Sequence, residues 1–298
     1  MSLVNRLIAS TLPFVPRAVI GRFSERYIAG PSLDDAMRVV KELNQTGAVA
    51  TVDVLGEHLT RIEEADQALR SYEELIARIA RERVDATISV KLTALGLQKD
   101  PAVCFDHMRK LCAAARDAGN LVTIDMEDSS CTTATLDLYR KLRREFPGVG
   151  TVIQAYLRRS KADVLALAAE KAHIRLCKGI YIEPRAIAYR DREIIRANFV
   201  DLLATLMRGG GYVGIATHDE ILVWHALRLI EELKLDRTRY EFQMLLGVDE
   251  ELRRILLGAG HRLRVYVPYG AHWYAYSMRR LKENPDIVGH ILKDMFRP

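Results

Sequence analysis

"ATISVKL" (86–92) is a short run of β-branched and apolar residues closing on Lys91 and Leu92. It is too short for a core-spanning helix, and it belongs to a set of runs whose central parts are largely apolar. A strand buried on both faces reads this way. The same form recurs at "AVATVDVL" (48–55), "LVTIDM" (121–126), "GTVIQAY" (150–156) and "HIRLCKG" (173–179). Three more follow at "YVGIATH" (212–218), "YEFQML" (240–245) and "LRVYVP" (263–268). That makes eight.

Between these runs lie segments such as "CFDHMRKLCAAARDAG", "TATLDLYRKLRREF" and "EILVWHALRLIEELKL", with apolar positions three and four apart. Eight strands alternating with helices predict a (β/α)8 barrel of the α/β class. An open doubly wound sheet usually has fewer strands and a glycine-rich first turn. "GGGYVG" (209–214) precedes a strand instead of following one, so it lacks the placement of a dinucleotide fingerprint. Residues 1–31 read as an N-terminal arm and 32–298 as one barrel domain. "SLDD" (32–35) marks a helix start and Gly47 a stop. After the last strand, "AHWYAYSMRRLKEN" reads as a helix ended by Pro285, followed by an amphipathic helix with Ile287, Val288, Ile291, Leu292 and Met295 on one face.

The chain has 298 residues, 49% hydrophobic and 28% charged, with a net charge of +5. Its basic residues are scattered, with no block of the kind that follows a nucleic-acid backbone. Four cysteines without C-x-x-C spacing fit a reduced, intracellular compartment. The N-terminal stretch is interrupted by Pro13 and Pro16 and shows no cleavage site of a signal peptide. No apolar run approaches the ~18 residues of a membrane span.

Barrel enzymes build their sites at the C-terminal ends of the strands. Polar residues collect there. Lys91, Asp125 and Gln154 end the second, third and fourth strands, and Arg175 and Lys178 belong to the fifth. Thr217 and His218 end the sixth, Glu241 and Gln243 lie in the seventh, and Tyr266 in the eighth. Packing alone rarely places such a residue on nearly every strand.

Each has a plainer reading. Lys91 can simply pair with Asp125, as buried charges do. His218 can cap a helix, and Cys177 fits barrel packing better than a nucleophile. Other chemistries are open on the residues alone. Lys91 or Lys178 suits a Schiff base, and the carboxylates of "DMED" (125–128) suit a hard metal, although strands 4 and 5 supply no matching acids. A barrel that binds a small acid without turning it over is a further reading. On the helix after strand 8, Tyr276 precedes Arg279 by three residues and Arg280 by four, while Glu283 follows within four. One face can thus carry a ring and two guanidinium forks, a geometry suited to a carboxylate over the barrel mouth. A solvated charged face has the same spacing.

Seven motifs occur in order: "SVKLTALG", "TIDMED", "VIQAYL", "RLCKGIY", "IATHD", "YEFQMLLG" and "YVPYG…WYAYSMRRLKENP". Together they resemble proline dehydrogenase in its short monofunctional bacterial form, from about residue 45 to 285. The resemblance implies a distorted barrel with a lid-like helix after strand 8 and non-covalently bound FAD. It implies oxidation of L-proline to Δ1-pyrroline-5-carboxylate, electrons passed to membrane quinone, and coupling to pyrroline-5-carboxylate dehydrogenase. The location it implies is cytoplasmic, peripheral at the inner face of the membrane.

Carried over by motif, Arg279, Arg280 and Lys91 bind the proline carboxylate. Tyr266 and Tyr276 line the ring pocket, Asp125 pairs with Lys91, and Glu283 joins the arginine cluster. Gln154 and Arg175 contact the flavin ring. Lys178, Gly179, Thr217 and His218 lie near its phosphates and adenosine, and Glu241 and Gln243 along the ribityl chain or ring edge. No metal is implied.

Overall fold

The computed structural model describes residues 20–21, 24–56, 59–274 and 276–278. Eight parallel strands, β1 (Val49–Val54), β2 (Ala86–Val90), β3 (Val122–Ile124), β4 (Gly150–Gln154), β5 (His173–Cys177), β6 (Tyr212–Ala216), β7 (Tyr240–Leu245) and β8 (Leu263–Tyr269), hydrogen-bond in sequence order. β8 returns to pair with β1, with Thr51 opposite Tyr266, and the sheet is closed. All eight expected runs are strands. The first six end earlier than their apolar patterns suggest, so Lys91, Asp125, Lys178, Thr217 and His218 fall just past the ladder, where their side chains can turn into the mouth.

Eight α-helices accompany them among the described residues. α1 (Leu33–Gln45) precedes the barrel, and α2 (Glu63–Glu82), α3 (Pro101–Asp117), α4 (Ser129–Glu145) and α5 (Ser160–Ala169) follow β1 to β4 in turn. α6 (Arg192–Gly209), α7 (Glu220–Glu232) and α8 (Glu250–Gly258) follow β5, β6 and β7. Their apolar faces pack on outward strand residues such as Ile88, Ile124, Leu176 and Val265, all fully buried. α1 starts at Ser32, whose hydroxyl accepts from the Asp35 N–H while the Asp35 carboxylate accepts from the Ser32 N–H. Past its end, Gly47 takes a left-handed φ of 84°.

α1 packs on both β1 and β8, covering the seam that the helix after the last strand covers in a regular barrel. The segment after β8 therefore goes elsewhere. Tyr276 and Trp273 pack on Ile28 and Leu55, and Ser24 of the arm shares a 2.6 Å hydroxyl hydrogen bond with Ser277. This path brings Tyr276 to the mouth of the barrel. Arg279, Arg280, Glu283, the closing helix and most of the arm lie outside the described residues.

The barrel interior departs from the usual layers of branched apolar side chains. Alternation along the strands turns Asp53, Thr87, Ser89, Arg175, Glu241, Gln243, Arg264 and Tyr266 inward, and hydrogen bonds join them.

Candidate active site

Buried charge demands partners, and the mouth-side layer of the barrel supplies them in a closed pattern. The Arg175 guanidinium donates to Asp125 Oδ1 at 2.6 Å, to Ser89 Oγ at 3.0 Å and to Gln243 Oε1 at 2.5 Å. Tyr266 donates its hydroxyl to Asp125 Oδ2 at 2.7 Å. Lys91 donates to that hydroxyl at 3.2 Å and to Asp53 Oδ2 at 2.5 Å. The expected pairing of Lys91 with Asp125 is present as a 4.0 Å ion pair, but it is not the closest one. Asp125 Oδ2 stands 4.0 Å from the ammonium because Arg175, Ser89 and Tyr266 already occupy that carboxylate, and Asp53 is the nearer anion.

Burial is the main influence on the two groups flanking Lys91. It raises the Asp53 carboxyl above the usual range, against the pull of Lys91. It raises the Tyr266 phenol well above its ordinary value, helped by the Asp125 and Asp53 charges. Tyr266 is therefore a hydroxyl donor at neutral pH, not a phenolate.

Above this layer lies a cavity of about 400 Å³, within the range of small-molecule sites. Its lining includes Lys91, Asp125, Gln154, Arg175, Lys178, Gly179, Thr217, His218, Gln243, Tyr266 and Tyr276. Of the twelve expected site residues that are described, Glu241 alone lies outside this lining. Glu241 is 1% exposed and sits one layer deeper, gripped by Arg264 at 2.6 and 3.0 Å. Gln243 bridges the two layers, donating to Glu241 at 2.6 Å while accepting from Arg175.

The β5 and β6 side of the mouth is basic. Lys178 and Arg192 line it, with Arg196 behind. Asp219 holds them: Arg196 donates at 2.9 and 3.0 Å and Lys178 at 3.1 Å. Burial raises the Asp219 carboxyl, but these cations outweigh it and bring it down to about 2. Asp219 holds the N-cap position of α7 without a side-chain capping hydrogen bond, and His218 Nε2 accepts the Leu245 N–H at 2.8 Å, tying the loop after β6 to the end of β7. Gly179 has φ 112°, and a Cβ there would stand 2.1 Å from Tyr156 Cδ1. Only glycine fits that turn.

The carboxylates of "DMED" go separate ways. Asp125 faces the cavity, Glu127 accepts the Thr93 N–H at 3.0 Å, and Asp128 caps α4 by accepting the Ser130 N–H at 2.9 Å. Among the described residues no three His, Cys, Asp or Glu side chains gather as a metal-binding group.

A cavity at the C-terminal mouth, floored by a Lys–Asp–Tyr–Arg network and basic on one rim, suits an anionic substrate beside a phosphate-bearing cofactor. The family described as Proline dehydrogenase matches residues 36–291. The chain belongs to the proline dehydrogenase family. It is 37% identical over 274 residues to "Proline dehydrogenase 1" of Bacillus subtilis subsp. natto, covering 92% of this chain and 91% of that one. It is 32% identical over 286 residues to "Proline dehydrogenase" of Deinococcus radiodurans, covering 94% and 92%. Among solved structures it resembles proline utilization A from Bdellovibrio bacteriovorus, inactivated by N-propargylglycine, with a TM-score of 0.82 and 28% identity. That likeness covers 88% of this chain and 32% of the larger protein. The match is thus to the short monofunctional form. The protein is a proline dehydrogenase by family, an oxidoreductase of proline catabolism, and the family implies a flavin.

Sequence reasoning missed Asp53, Ser89 and Arg192. Asp53 left a signal: an aspartate in the middle of the apolar run "ATVDVL" has to be paired. Ser89 and Arg192 left none, since serine and exposed arginine are unremarkable where they stand.

Proposed function

We propose that the protein binds FAD and oxidises L-proline to Δ1-pyrroline-5-carboxylate, passing the electrons to a membrane quinone. The observation that carries this reading is the Lys91–Asp125–Arg175–Tyr266 network facing a cavity whose far rim holds Lys178 and Arg192. The donor set fits a flavin dinucleotide: cations on the β5–β6 rim for its phosphates, and the side-chain amides of Gln154 and Gln243 with Arg175 for the polar edge of its ring. When bound, the flavin supplies the hydride acceptor.

The chain's own residues bind and orient. Lys91 attracts the proline carboxylate, Arg279 and Arg280 bind it with Lys91, and Glu283 belongs with the two arginines. Tyr266 and Tyr276 enclose the apolar ring. Binding through the carboxylate, away from the reacting carbon, converts binding energy into orientation. Oxidation needs the ring nitrogen unprotonated, and a site rich in cations disfavours a second ammonium beside them. Arg175 brings positive charge toward the flavin ring, where reduction adds negative charge. Lys178, Gly179, Thr217 and His218 serve the phosphate and adenosine end. Glu241 supports the ring edge only through Gln243.

Among the described residues no helix is long and apolar enough to cross a membrane; in this reading the quinone is met peripherally, at the cytoplasmic face of the membrane. The product passes to a pyrroline-5-carboxylate dehydrogenase. A visible spectrum before and after L-proline tests the reading. Flavin bands near ~370 and ~450 nm, with the longer one bleached by proline, are expected. A colourless protein, or flavin unchanged by proline, overturns it.

A further inference from the structure

We propose that Asp53 is a positioning residue of the proline site, acting through Lys91. The inference rests on the reading above, in which Lys91 meets the substrate carboxylate. Asp53 has no exposed surface and does not line the cavity, so it cannot touch proline itself. Its Oδ2 lies 2.5 Å from Lys91 Nζ, and its Oδ1 lies 3.1 Å from the hydroxyl of Tyr72, a fully buried residue of α2. Tyr72 is fixed in turn, with its hydroxyl 3.0 Å from Ser89 O. Asp53 and Ser89 are opposite one another in the β1–β2 ladder, so backbone pairing sets where this carboxylate stands.

A lysine side chain has four rotatable bonds and a point charge, and it holds no direction unless something anchors it. Asp125 cannot be the main anchor. Arg175, Ser89 and Tyr266 occupy it, and it stands 4.0 Å from Nζ. Lys91 also donates to the Tyr266 hydroxyl at 3.2 Å, a neutral partner. Asp53, on the neighbouring strand β1, is thus the nearest anion among the described residues to set the direction of Lys91. Other charged groups facing this layer are Asp125 and Arg175, which neutralise each other at 2.6 Å.

A carboxylate contact remote from the reacting carbon shows in KM more than in kcat. Asp53→Asn keeps shape and removes the charge. It should raise the KM for L-proline about tenfold while kcat changes less than about threefold. In a Lys91→Met background the same substitution should change KM by less than about twofold, because its route to the substrate is gone. Flavin absorbance per protein should stay at the wild-type level in all three variants. Should Asp53→Asn fail to fold, Tyr72→Phe serves in the same cycle. It removes the hydroxyl that fixes Asp53, with an expected rise in KM of about threefold that also vanishes beside Lys91→Met. If Lys91→Met alone leaves KM at the wild-type value, the underlying reading of the site fails. If Lys91→Met raises KM but the Asp53 or Tyr72 variant does not, or raises it equally in both backgrounds, Asp53 has no positioning role.

Discussion

The barrel holds two buried ion clusters, one above the other, and they are built to opposite ends. In the deeper one, Arg264 meets both Glu241 oxygens, the Ala50 carbonyl at 2.6 Å and Thr87 Oγ1 at 3.1 Å. Arg262 adds a 3.3 Å contact to Glu241, whose carboxyl is raised by burial yet held below its ordinary value overall, chiefly by Arg264. Strands close around this cluster, and the cavity does not reach it. In the upper cluster, Lys91, Asp125, Arg175 and Tyr266 are paired just as closely but also line the cavity. Equal burial and equal charge thus mean different things. A cluster set away from the mouth cavity stabilises the closed barrel, and one with a face on that cavity meets a ligand.

The largest effect that would break this comparison belongs to the deeper cluster. Glu241→Gln leaves Arg264 buried without its counter-charge and should lower stability by about 3–5 kcal/mol. Urea unfolding measures this. Proline turnover per folded, flavin-loaded molecule should stay within a few fold of wild type. A variant of normal stability and collapsed turnover would move Glu241 into the upper, functional group.

Lys91→Met should behave the other way round. A roughly hundredfold loss in kcat/KM is about 2.7 kcal/mol of transition-state stabilisation. Its stability loss should be smaller than that of Glu241→Gln, because burial already raises the Asp53 carboxyl, which can take up a proton once the ammonium is gone. Steady-state kinetics and thermal melts on one preparation compare the two. Unchanged turnover in a folded Lys91→Met protein removes this lysine from the site.

The smallest effect sharpens the contrast through pH. His173, part-buried at the deep end of β5, has its imidazole pushed down to about 4, first by burial and then by Arg264 and Arg175 against the pull of Glu241. Its folded value lies below the unfolded one near 6.5, so the unfolded chain binds the proton first as pH falls. Stability from this group is complete above about pH 6.5 and lost between there and about pH 4. His173→Gln should flatten that part of the stability–pH curve. An unchanged slope would mean that another group carries it.

The sequence by itself determined the strands, the closed barrel and the mouth on which the polar residues gather. Apolar runs of strand length, separated by helical periods, have few other ways to bury both faces. It also placed Lys91, Arg175, Gln154, Gln243 and Tyr266 at one end, because strand direction alone decides which end a residue occupies. The helix face of Arg279 and Arg280 was legible only as spacing. Tertiary structure decided the partners. Nothing in "ATVDVL" says that Asp53 outcompetes Asp125 for Lys91, since that choice depends on which neighbouring strand carries Arg175 and how far each side chain reaches. Nor could spacing separate Glu241 from Gln243, two residues apart on the same inward face. One is enclosed beside Arg264 and the other reaches the cavity, because depth along the barrel axis, and not residue type, decides whether a buried charge meets its own chain or a substrate.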